Sequence, residues 1–152
     1  MTQDKISKRL VLDRLNWVDR MISDIHSLPL SNRDAFLAVH HNIGAAESYL
    51  RRALEALFDI GRHILAKGFG KGVSEYKEIA SSLKECNVMS DENAKLLHML
   101  AGYRNRLVHF YQEVTPDELY QICREELGDV ERITNAYRAW LKSRPELMDD
   151  KL

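Results

Sequence analysis

At 152 residues, 45% hydrophobic and 30% charged with only 7 Gly and 3 Pro, the chain has the size of one globular domain that needs neither disulfides nor metals to bury a core. A net charge of −1 excludes a general polyanion-coating protein, so any basic groups that meet nucleic acid must be gathered locally. Cys86 and Cys123 form no CxxC or Cys/His ligand pattern, the first ten residues lack the apolar stretch of a signal peptide, and no apolar run approaches the ~18 residues that span a bilayer. The expected location is cytoplasmic, with both thiols reduced.

In chain order, the first helix is expected from Val11, Leu15, Val18, Ile22 and Ile25, one apolar stripe that ends at Leu28-Pro29-Leu30. Ser31 is expected to cap a second, long helix that runs to about Lys67, where Gly68-Phe69-Gly70-Lys71-Gly72 breaks it. Its stripe is Phe36, His40, Ile43, Glu47, Leu50, Leu54, Leu57, Gly61 and Ile64, a repeat that suits a bundle or a dimer seam. His40 and Glu47 interrupt that stripe, either as satisfied core groups, as members of a solvated seam, or as catalytic groups. Ser74 starts a short third helix around Tyr76 to Lys84. Ser90 caps a fourth, with Asp91 and Glu92 complementing its dipole. Thr115-Pro116-Asp117-Glu118 combines an N-cap, a proline at the first position and a glutamate at the third, and opens the last helix. Leu119, Ile122, Val130, Ile133, Tyr137 and Trp140 form its stripe, and it ends before Pro145. No segment alternates with period two. The expectation is a single all-α domain over 1–152, an antiparallel bundle of about five helices.

The end of the fourth helix carries Tyr103-Arg104-Asn105-Arg106-Leu107-Val108-His109-Phe110-Tyr111, a concentration of polar groups in a segment that otherwise reads as core. Arginine presents a fork of donors that fits phosphate oxygens, and histidine exchanges protons near neutral pH. RNA brings its own nucleophile, the 2′-hydroxyl, so such a site needs no metal or other cofactor. On a straight helix Arg104 and His109 lie roughly 140° apart, so they converge only if the helix turns near His109 or if two copies meet across a two-fold axis. The competing reading is a helix C-terminus at which Arg and His complement the dipole.

Arg104-x-x-x-x-His109-x-Tyr111 matches the Rx4HxY motif of the HEPN superfamily, and RNRLVHFY resembles its HepT-type toxin branch. Leu57-Phe58-Asp59-Ile60-Gly61-Arg62-His63-Ile64 is similar to the DI-x-x-H helix of that family, and the order of elements is similar along nearly the whole chain. The resemblance implies a metal-independent, homodimeric endoribonuclease, the toxin of a prokaryotic toxin–antitoxin pair. It also implies a partner, an MntA-type nucleotidyltransferase antitoxin that transfers AMP to the motif tyrosine. Carried over by position, Arg104 would hold the scissile phosphate of RNA, His109 would be the general acid/base and Tyr111 the AMP acceptor. Asn105 and Arg106 would help position RNA, and Asp59 and His63, four apart on one helical face, would form a polar pair beside the site or a purely structural hydrogen bond. The alternative is a non-catalytic helical dimer that lends a nucleotidyltransferase partner its substrate- or nucleotide-binding surface.

Overall fold

The computed structural model describes residues 5–109 and 114–149. Seven α-helices follow in order among them: α1 (Lys8–His26), α2 (Arg33–Ala38), α3 (His40–Phe69), α4 (Tyr76–Glu85), α5 (Asp91–Val108), α6 (Pro116–Glu125) and α7 (Leu127–Ser143). The all-α bundle is as expected, and the expected caps recur at two of its helices: Ser90 accepts the Asn93 N–H and Thr115 the Glu118 N–H.

Two expected helices are each divided. The second is capped by Asn32 rather than Ser31, the Asn32 side chain accepting the Ala35 N–H at 3.0 Å. It stops after Ala38 because Val39, a β-branched residue, takes an extended conformation (φ −116°, ψ 112°). That corner seats Phe36 in the core against Tyr120, their rings 5.3 Å apart. The last helix bends at Glu126 (φ −113°, ψ 4°), whose carboxylate accepts the Tyr103 hydroxyl at 3.2 Å. Both α6 and α7 still bury the stripe read from the sequence, so each division changes direction without changing the buried set. The long helix also outlasts its expected end at Lys67: Gly68 is buried inside it, and Gly70 in the left-handed region (φ 65°) terminates it.

A short strand pair escapes the sequence reading. β1 (Ile6–Ser7) lies parallel to β2 (Met148–Asp149), Ile6 opposite Met148. Two residues are too few to show an alternation.

α3 is the axis of the bundle. α1 packs along it, and α4, α5, α6 and α7 each touch it. Gly61 permits a close approach: a Cβ there would come within 2.9 Å of both Ile79 on α4 and the Tyr137 hydroxyl on α7. The Tyr137 hydroxyl, fully buried, donates to the Leu57 carbonyl at 2.9 Å. Both cysteines are free, and burial pushes the Cys123 thiol up to about 12. No helix among the described residues is long and apolar enough to cross a membrane. His40 and Glu47 are both exposed on the first turns of α3, which leaves them out of the core.

Candidate active site

α5 delivers the motif. Ala94, Leu97, Leu100 and Ala101 anchor one face in the core, and the helix then emerges over its last turns, where residues 102–107 are half-buried. Half-burial is what a phosphate-binding guanidinium needs: enough exclusion of water to strengthen its charge, and enough access for a ligand.

Arg104 lies across an aromatic platform. Its guanidinium carbon is 4.2 Å from the centroid of the Tyr76 ring, at the start of α4, and Tyr76 stacks in turn on Phe58 of α3 at 4.8 Å. One Nη of Arg104 donates to the Asn105 side chain at 3.4 Å, while its Nε is buried with no hydrogen-bond partner among the described residues. A second guanidinium, that of Arg62, reaches the same ring at 5.7 Å. Arg62 is braced from two sides, donating to Asp59 at 3.3 Å and to the Ser74 carbonyl at 3.0 Å. Two cations on one ring repel each other, and an anion placed between them removes that repulsion.

At the other end of the motif, His109 leaves the helix. Its backbone is extended (φ −99°, ψ 121°), although its N–H still donates to the Asn105 carbonyl at 3.2 Å. The turn at His109 is one of the two arrangements that a straight-helix separation from Arg104 calls for. His109 is exposed. Tyr111 lies outside the described residues.

Arg106 is engaged elsewhere. It grips Glu118 of α6 through two hydrogen bonds of 2.6 and 2.7 Å, which hold the Glu118 carboxyl below the usual carboxylate range. That pair uses one N–H on each Nη and fixes the direction in which the Arg106 guanidinium faces. The expected Asp59–His63 pair is corrected: Asp59 turns to Arg62, and His63 Nε2 accepts the Ser7 N–H at 2.9 Å. Half-buried and near Lys67, His63 is held below its ordinary value, first by burial and then by that like charge. Asp59 therefore joins the site through Arg62, and His63 instead ties the start of α1 to α3.

Sequence reasoning did not single out Arg62 and Tyr76. Arg62 stands three residues after Asp59, a spacing that permits the ion pair, but nothing local says that its other side meets a ring from a different helix. Among the described residues no group of three His, Cys, Asp or Glu side chains is placed to hold a metal ion.

The profile of a family described as ribonuclease HepT-like matches residues 18–137. A tRNA nuclease HepT of Aphanizomenon flos-aquae is 27% identical over 112 residues, spanning 73% of this chain and 76% of that protein. A putative RNase of Archaeoglobus fulgidus is 30% identical over 127 residues, spanning 76% of this chain and 89% of that one. Among solved structures, a tri-AMPylated Shewanella oneidensis HEPN toxin in complex with an MNT antitoxin superposes with a TM-score of 0.77 at 22% identity, covering 86% of this chain and 97% of its own.

Proposed function

The chain belongs to the HepT-like ribonuclease family, and from that premise we propose that it is an endoribonuclease, the toxin of a toxin–antitoxin pair. The observation that carries this reading is the seating of Arg104: a half-buried guanidinium on an aromatic platform, with a second guanidinium at the same ring. Such a group binds a phosphate and stabilises the charge that grows on its oxygens during displacement. The 2′-oxygen attacks the adjacent phosphorus, the bond to the 5′-oxygen breaks, and a 2′,3′-cyclic phosphate remains. His109, exposed just beyond the helix, takes the 2′ proton or gives one to the leaving oxygen. No metal enters this scheme.

The active species is a homodimer with two motifs facing each other. Val108, an exposed apolar residue beside His109, supports a contact at that end of α5. The partner is a nucleotidyltransferase antitoxin of the MNT type, and the Shewanella oneidensis relative solved in such a complex, itself tri-AMPylated, supports Tyr111 as the AMP acceptor. An added AMP would bring about one negative charge beside Arg104 and occupy the place of the RNA phosphate. The protein acts in the cytoplasm.

The test is cleavage of tRNA by the purified chain. Arg104→Ala and His109→Ala should each remove activity and keep the helical signature, and cleavage should survive EDTA. Activity lost to chelation and restored by a divalent ion would overturn the metal-free scheme. With the antitoxin, ATP and magnesium, the toxin should gain mass in units of AMP, and Tyr111→Phe should not.

A further inference from the structure

One side of the α1–α3 pair gathers three arginines around a tryptophan. Arg14, Trp17 and Arg20 recur every three residues on α1, and Arg52, Glu55, Ala56 and Asp59 share a face of α3. Where the helices meet, Arg14, Trp17, Arg52, Glu55, Ala56 and Asp59 line a cleft of about 220 Å³. Trp17 packs part of its indole on the core and leaves part exposed, with the Arg20 guanidinium 5.8 Å from its ring centroid. The two acids of the lining are already committed, Glu55 to Arg51 at 2.7 Å and Asp59 to Arg62 at 3.3 Å. Arg14 and Arg52 are exposed, and among the described residues neither has an ion pair, so the cleft presents cations beside an aromatic ring.

The cleft is also connected to the motif. Asp59 forms part of its wall and braces Arg62, and Arg62 shares the Tyr76 ring with Arg104. From Arg52 to Arg62 the helix rises about 15 Å, a distance that a few nucleotides of single strand cross.

We propose that the Trp17 cleft is a nucleobase-stacking subsite that holds single-stranded RNA flanking the cut. An unstacked base lies on the exposed part of the Trp17 indole, and Arg14 and Arg52 take the phosphates on either side. Stacking accepts any base, so the subsite contributes affinity and register rather than sequence choice. Net charge near zero is no obstacle, because the cations are gathered along one path. The proposal rests on the ribonuclease reading, and the two are separable by experiment.

In full-length protein carrying His109→Ala, to prevent turnover, and Trp140→Phe, Trp17 is the sole tryptophan. Titration with an unstructured RNA of about 12 nucleotides, within the range of single-strand site sizes, should quench its fluorescence saturably. Adding Arg14→Glu and Arg52→Glu should raise Kd at least tenfold and flatten the salt dependence by about 0.7 in log–log slope for each phosphate left without its arginine. In an otherwise wild-type background the same pair should raise KM for tRNA cleavage and leave kcat within twofold. Wild-type cleavage that is lost in His109→Ala, with no quenching and an unchanged KM in the Arg14→Glu/Arg52→Glu protein, overturns the subsite and leaves the ribonuclease reading standing. Quenching with the predicted charge dependence, but no cleavage by wild type, supports the subsite and overturns the enzyme. Both arginines are exposed, so circular dichroism should show the helices intact.

Discussion

Tyr76 is the residue on which the geometry of Arg104 most depends. Its ring supports the guanidinium at 4.2 Å, and among the described residues the one side-chain acceptor of Arg104 is Asn105 at 3.4 Å. Tyr76→Leu should lower kcat for RNA cleavage by about tenfold, the loss expected when roughly 1–2 kcal/mol of cation–ring support is removed. Tyr76→Phe keeps the ring and should restore the rate, which distinguishes support from chemistry at the phenol. His63 gives a second prediction. Below about pH 6.5 the unfolded chain holds a proton on this side chain that the folded chain, with its lowered affinity, does not. Stability therefore rises with pH through that window and is complete above it. Lowering the pH from about 7 to about 5.5 should reduce the urea midpoint, and His63→Gln, which can still accept the Ser7 N–H, should reduce that sensitivity. The motif itself was legible because Arg104 and His109 sit five residues apart in one segment. Their surroundings were not: Arg62, Tyr76 and Arg104 belong to three different helices, and only packing brings them to one ring.

Among the helices, α3 sets the tolerance of the others through Gly61. An alanine there would push against Ile79, Leu83 and the Tyr137 hydroxyl at about 3 Å, and the last of these is already fixed by its bond to Leu57. Gly61→Ala should destabilise the fold by about 1–3 kcal/mol, the usual range for overpacking, measured by urea denaturation. Propensity alone would make this substitution stabilising, so the sign separates helix propensity from packing at this crossing. The apolar stripes of α1, α3, α6 and α7 could be read from spacing because burial and periodicity are the same fact seen twice. The corners at Val39 and Glu126 could not. Neither carries a glycine or proline at the turn: Val39 is an extended β-branched residue next to the seat of Phe36, and Glu126 is tied to the Tyr103 hydroxyl. Arg106–Glu118 is a third such tie, joining the motif helix to α6 across the segment that contains Tyr111.

For the molecule as a whole, the test that matters most is its assembly. One copy offers one Arg104 and one exposed His109, and the reaction asks for proton transfer on both sides of a phosphate. Light scattering at micromolar concentration should give twice the 17.6 kDa chain mass. A monomer with full activity would remove the dimer from the mechanism. The bundle also has a seam in time. Ile6 is wholly buried, touches the space over Gly68 and pairs with Met148, so the first and last elements described are hydrogen-bonded neighbours. During synthesis, α1 and α3 can associate as soon as both have emerged. The β1 edge, however, has no partner until residue 148 has left the ribosome. Pairing β1 with β2 is therefore the longest-range closure in the described fold, and shortening either strand should loosen both ends of the bundle together.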